Sequence, residues 1–187
     1  MKLYTYVVAS DTGFAPNPFD NYCSLACCKP VIRRTANVGD WIIGIGSANN
    51  VGNEKIIYTM EVTEKIHFNN YYKDKRFKNR ADNIYHKYKG EWKQKENPFH
   101  NENDTKHDTN TEFVLISDNY YYFGKNAIVL PDEFKNNIKG GRGHRNYYSE
   151  KFIHKVLTWL NENYSPGIYA KPCDYKKELW NKNKCSL

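Results

Sequence analysis

The sequence predicts an α+β domain: a mostly antiparallel, curved sheet with helices packed against it. Residues 55–68, KIIYTMEVTEKIHF, alternate strictly, with Ile56, Tyr58, Met60 and Val62 facing one way and Ile57, Thr59, Glu61 and Thr63 the other. Residues 39–47, GDWIIGIGS, open on a turn pair and continue as a buried type of strand, so the two stretches form a hairpin across the polar turn ANNVGN. Residues 150–163 place Phe152, Ile153, Val156, Leu157 and Leu160 on one helical stripe, with Ser149 as N-cap and Ser165-Pro166-Gly167 as the stop.

At 187 residues the chain is expected to form one domain, with residues 86–111 as a polar insertion loop and 165–187 as a basic tail. Hydrophobic content of 40% and aromatic content of 16% fit a packed core and exclude general disorder. No apolar run approaches the ~20 residues of a membrane span. The start, MKLYTYVVAS, alternates like a strand and lacks the apolar centre of a signal peptide, so a cytoplasmic location is expected and no membrane partner. The cysteines at 23, 27, 28, 173 and 185 are odd in number, and two are adjacent, which argues against a disulfide framework. Cys-x3-Cys-Cys is also a poor zinc pattern; neither a metal nor another cofactor is expected.

The formal charge of +7 suits a polyanion, but Lys and Asn are abundant throughout, so the total says little about a site. Arginine occurs only at 33, 34, 76, 80, 142 and 145. A planar five-donor fork suits phosphate or carboxylate, which makes the pairs Arg33/Arg34 and Arg142/Arg145 more informative than the lysine total.

Taken in order, residues 2–9 read as the first strand. DTGFAPNPF at 11–19 is a loop stiffened by proline, able to hold Phe14, Asn17 and Phe19 against a flat ligand or simply to close the core edge. Residues 20–29 read as a short helix capped by Asp20. Pro30 either ends it or opens a second helix, VIRRTA; in the second case Cys28 and Lys29 stand at a helix start, where free N–H groups favour an anion and a reactive thiol, although a buried, inert cysteine is the commoner fate. On strand 41–46, Trp41, Ile43 and Ile45 share one face and Ile42, Gly44 and Gly46 the other. Something approaches that bare second face closely: a helix, a bulge partner or a flat ligand.

NNYYKDKRF at 69–77 reads as a helical turn. The 86–111 stretch holds His86, Trp92, His100, His107 and Asp108. His107-Asp108 suggests proton transfer, although adjacent residues face each other only if the backbone turns. FVLIS at 113–117 and YYYFG at 120–124 flank Asp118-Asn119 and read as a hairpin; PDEFKNNI at 131–138 reads as a short helix. KGGRGHR at 139–145 allows successive N–H groups to face one anion, with Gly141, Arg142, His144 and Arg145 close by. It is not a P-loop, because no Gly-Lys-Ser/Thr closes it.

As an ordered set, GFAPNPF, LACCKPVIRRTANVGDWIIG, DNIYH, HDT followed by VLIS, YFG and KGGRGH resemble the successive motifs of the nucleotide modification associated domain 2 family. The order of strand, stiff loop, helix and GDWIIGIGS also resembles the PUA-like superfamily, which includes ASCH and EVE-type domains. That resemblance implies a PUA-like, partly open β-barrel with flanking helices and a cleft for a nucleobase. The matching positions are Phe14, Asn17, Phe19, Cys27, Lys29, Pro30, Arg33, Trp41, Asn83, Tyr85, His86, His107, Asp108, Gly141, Arg142 and His144.

The expected function is binding of a nucleotide, or of a modified base free or flipped from DNA, in modified-nucleotide metabolism or phage–host conflict. The 13–19 loop and the Gly44/Gly46 face would take the base, and Arg33, Arg142 and His144 the phosphate. An enzyme is the alternative, with His144 or His107 as acid and base, Arg142 stabilising phosphate charge, and Cys27 as a further nucleophile candidate. A plain RNA-binding module is the third reading.

Overall fold

The computed structural model describes residues 1–138, 141, 143–178 and 180. The chain is mixed α+β, with five α-helices and twelve strands among the described residues. Strands β1 (Leu3–Val7), β3 (Trp41–Ile45) and β4 (Lys55–Glu61) form the middle of the largest sheet. Its order is completed by β11 (His144–Arg145) outside β1, and by β9 (Tyr120–Tyr122) and β12 (Gly167–Ile168) beyond β4. β10 (Ile128–Val129) pairs with the start of β4. β1 and β3 run parallel, as do β9 and β12; the other pairs are antiparallel.

The expected faces of β3 are those observed. Trp41, Ile43 and Ile45 pack with Ile153, Val156 and Leu160 of helix α5 (Glu150–Asn163), while Ile42 packs on the opposite side with Tyr4, Met60 and Leu25. Ser149 caps α5 by accepting a hydrogen bond from Phe152 N at 3.3 Å.

A second sheet has the order β2 (Cys23–Leu25), β8 (Phe113–Ser117), β5 (Glu64–His67). Here two expectations are corrected. The long strand 55–67 is bent between β4 and β5, and β8 and β9 bend opposite it, so 113–117 and 120–124 do not pair with each other. They pair instead with the bent partner, in one register on both sides of the bend: Tyr58 opposite Tyr122 and His67 opposite Phe113. The bend is held by Glu61 N donating to Asn119 O at 3.0 Å and Thr63 N to Ile116 O at 2.9 Å. A local turn signal at Asp118-Asn119 thus marks a strand crossing between sheets. Among the described residues, none of the sheets closes into a barrel.

Residues 20–29 are not a helix. Asp20 and Asn21 both adopt left-handed backbone (φ 57° and 66°), which ends any helix there, and 23–25 pairs with β8. The second possibility holds: Pro30 opens α1 (Pro30–Thr35). The turn at 69–77 overlaps α2 (Phe68–Lys73), and 131–138 contains α4 (Asp132–Lys135).

The polar stretch is not structureless. β6 (Tyr85–Tyr88) and β7 (Glu91–Gln94) form a hairpin about Lys89-Gly90, both at positive φ (50° and 85°), as a type I′ turn requires. Helix α3 (Glu102–Asp108) follows, with a capping box between Asn101 and Asp104. Residues 171–178 and 180 also pack: Cys173 N donates to Asp11 Oδ2 at 3.0 Å, and Trp180 Nε1 donates to Thr12 O at 3.2 Å. No helix among the described residues is long and apolar enough to cross a membrane.

Candidate functional site

A cleft of about 570 Å³ opens beside the C-terminal end of β1. Phe14, Cys28, Lys29, His100, His107 and His144 line it, with Gly143 at its edge. β11 brings His144 there by pairing opposite Tyr6. Of Phe14, Asn17, Trp41, Arg33, Arg142 and His144, which were expected to share one cleft, Phe14 and His144 line this one. Arg142 and Gly140 lie outside the described residues, and Gly141 is exposed.

Several expected ligand residues serve the scaffold instead. Trp41 lies in the core beneath α5. The bare faces of Gly44 and Gly46 are filled from within the hairpin: a Cβ on Gly44 would sit 2.2 Å from Tyr58 Cε1, and one on Gly46 would sit 2.4 Å from Gly52 O. A bulge leaves Ile57 unopposed between the pairs Gly44–Tyr58 and Ile45–Ile56, which lets the Tyr58 ring settle on Gly44. Asn17 is buried and donates to Asp82 Oδ1 at 3.2 Å, within a network that Arg80 completes through Asn17 O (2.8 Å), Ser24 Oγ (2.7 Å) and Tyr71 Oη (3.0 Å). Phe19 packs edge-to-face on Trp180. His86 stacks on Tyr72 at 4.1 Å between centroids, away from the cleft. Asn83 donates to Tyr71 O and Phe77 O.

Arg33 is fully buried and cannot meet a phosphate. Its Nε donates to Cys28 O at 2.7 Å, Nη1 to Phe113 O at 2.9 Å and Nη2 to Asp108 O at 2.5 Å. One guanidinium thus ties the segment before α1 to the end of α3.

Those two segments, with the loop after β7, build the polar centre of the cleft. Cys28 and Lys29 both lie in left-handed backbone (φ 58° and 42°), a conformation costing about 1–2 kcal/mol per non-glycine residue, and the surrounding bonds hold it. Cys28 N donates to Asp108 Oδ1 at 2.6 Å. Asp108 Oδ2 lies 2.8 Å from His100 Nδ1 and accepts from Tyr85 Oη at 3.0 Å. His100 Nε2 in turn lies 3.7 Å from Cys28 Sγ. Cys28, His100 and Asp108 therefore form one row, with the sulfur at the cleft and the carboxylate 1% exposed.

Burial disfavours charge on His100, but Asp108 and the Cys28 sulfur outweigh it and push the imidazole up to about 10. Burial would raise Asp108; the bond to His100 overcomes this and holds it below the usual carboxylate range. Burial lowers Lys29, which stands 4.7 Å over the Tyr6 ring, and among the described residues no carboxylate forms a salt bridge with it. Burial, then Lys29, lowers His144.

Cys27 does not reach the cleft. One ligand atom each from Cys27, His100 and Asp108 lies within 4.8 Å of the others, but the Cys27 thiol is fully buried, burial pushes it well up, and it donates to Asp82 O at 3.7 Å. A thiol held protonated is neither a nucleophile nor a metal ligand. Sequence reasoning gave His100 no role, and it weighed Cys28 as a reactive thiol but took Cys27 as the nucleophile candidate. Only the residue types signalled the row, since positions 28, 100 and 108 share no motif spacing.

The family model for nucleotide modification associated domain 2 matches residues 1–179. The chain belongs to that family. The match takes in Cys173 and Asp174, which bind at Asp11. No curated protein and no solved structure matches the chain. Membership places the domain in the context of nucleotide modification, and the cleft is where its chemistry-bearing side chains meet.

Proposed function

We propose that this cleft binds a nucleotide or a modified nucleobase, either free or flipped out of DNA. The observation that carries the reading is Lys29, a half-buried cation on the cleft wall with an aromatic neighbour and no carboxylate partner among the described residues. A phosphate would supply the missing anion, with His144 beside it. Phe14, stacked on Phe99 at 4.8 Å, and His100, edge-on to Phe14 at 4.7 Å, form an aromatic wall for a planar base. A concave site of this size suits one nucleotide better than a run of single strand, which weighs against the plain RNA-binding module.

Thermal shift and calorimetry against nucleoside monophosphates and their nucleosides test this. Lys29→Ala is expected to weaken the phosphorylated ligand by about 1.5–3 kcal/mol, a factor of ten to a hundred, and to leave the nucleoside unchanged. Equal affinities of wild type and variant at low salt would exclude phosphate contact by Lys29. A second reading, an enzyme, is favoured by the Cys28–His100–Asp108 row.

A further inference from the structure

We infer that Cys28 is a catalytic nucleophile, with His100 as its acid and base and Asp108 as the residue that orients the imidazole. The substrate class is an amide- or amidine-type carbon bearing a nitrogen leaving group, on a nucleobase or its substituent. The placement in the nucleotide cleft rests on the reading above; the thiol chemistry rests on the row alone.

Three independent features of the row converge. The order of contacts is sulfur, Nε2, Nδ1, carboxylate, at 3.7 Å and 2.8 Å, so one imidazole joins the thiol to a buried acid. Cys28 and His100 both line the cleft, with Lys29 and His107, while Asp108 is enclosed. The left-handed conformation of Cys28 is held from both sides, by Asp108 on its N–H and Arg33 on its carbonyl. Tyr85 fills a further site on the carboxylate, so Asp108 is committed to acceptance from three donors. The charged and titratable groups facing the pair are Asp108, Arg33, Tyr85, Cys27, Lys29 and His107.

The chemistry balances with water as the only co-reactant. The Cys28 proton passes to His100 Nε2, and the sulfur adds to the electrophilic carbon. The C–N bond breaks, and His100 Nε2 returns the proton to the departing amine or ammonia. Water then attacks the thioester or thioimidate carbon while Nε2 takes its proton. The C–S bond breaks, the proton returns to sulfur, and a carbonyl product leaves. A nitrogen leaving group is favoured because it needs the proton that His100 holds at the cleft side. No electron is transferred, and the neighbouring Cys27, turned toward Asp82, takes no part.

Alkylation by iodoacetamide, mapped by peptide mass over all five cysteines, tests the row without a substrate. An ordinary thiol is about 0.3% thiolate at pH 6. Cys28 of the intact chain is expected to react at least tenfold faster at pH 6 than free cysteine, with little change up to pH 8. His100→Gln, at a partly exposed side chain, is expected to remove that excess and restore the pH dependence of a free thiol. If wild-type Cys28 reacts like free cysteine across this range, the nucleophile assignment is overturned, whether or not the variant folds. The four ribonucleoside 5′-monophosphates and an N-acetylated cytidine monophosphate serve as protectants and substrates. Fast alkylation that no nucleotide slows keeps the nucleophile and overturns the nucleotide reading. Ordinary alkylation with nucleotide binding intact does the reverse. Amine or ammonia release from a protecting nucleotide, lost in Cys28→Ser, supports the hydrolytic step, and no release from any protecting nucleotide overturns it.

Discussion

Arg33 shows how one side chain can decide the geometry of a site it never enters. Its three donors meet the carbonyls of Cys28, Asp108 and Phe113, none of which has that cation as a sequence neighbour. Replacement by Leu would leave those carbonyls unmet in a dry interior, at an expected cost of about 3–5 kcal/mol. Lys keeps the charge but loses the fork, so it should recover little. Urea unfolding of Arg33→Lys within 1 kcal/mol of wild type would show that the fork is not needed. His100 yields a pH prediction of definite sign. Its folded value, about 10, lies above the ordinary 6.5, so its stabilisation is complete below about pH 6.5 and is lost as pH rises toward 10. Asp108 acts oppositely: its stabilisation is present above the ordinary carboxylate range and fails as pH falls through its lowered folded value. The gap in urea midpoint between wild type and His100→Gln should therefore narrow from pH 6.5 to 10. A constant gap would mean that His100 does not gain a proton-linked contact on folding.

At the scale of elements, local pattern and long-range pairing part company. The two faces of β3 and the stripe of α5 were legible because alternation and helical period report burial directly. The 113–124 hairpin was misread because a turn signal fixes a change of direction and not the partner, which here lies 46 (His67 to Phe113) to 64 (Tyr58 to Tyr122) residues earlier. Two signals inside the polar stretch were there to be used: Lys89-Gly90 between alternating residues, and Asn101 three positions before Asp104. The two-glycine face was read correctly as a close approach; the approaching groups are Tyr58 at Gly44 and the Val51-Gly52 turn at Gly46 rather than a ligand. Gly44→Ala is accordingly expected to cost about 1–3 kcal/mol by overpacking at the bulge. A thermal midpoint unchanged within error would show that the Tyr58 ring can move aside. The site was less legible than the sheet, since Cys28, His100 and Asp108 are brought together only by the packing of two connections against the end of α3.

At the scale of the whole molecule, the C-terminal segment matters to a cleft formed near the N-terminus. A basic tail was expected, yet Cys173 and Asp174 bind the backbone and side chain around Asp11, and Trp180 packs between Phe19 and Phe99 while donating to Thr12 O. Phe99 is the ring on which Phe14 stacks, and it immediately precedes His100. The segment therefore braces the wall that carries both the apolar face of the cleft and the imidazole of the row. Truncating Trp180 to Ala removes an aromatic contact on each of two loops and one hydrogen bond, worth about 1–3 kcal/mol together when partly buried. Most of that loss should fall on the loops and little on the central sheet, because β3 and α5 do not touch the indole. Hydrogen exchange at Phe14 and Phe19, whose amides donate to Thr12 and Asn17 side chains, is then expected to speed up in Trp180→Ala while β3 amides stay protected. Nucleotide affinity should fall with it. Unchanged exchange at Phe14 and Phe19 would show that the 11–19 loop holds its shape without the brace.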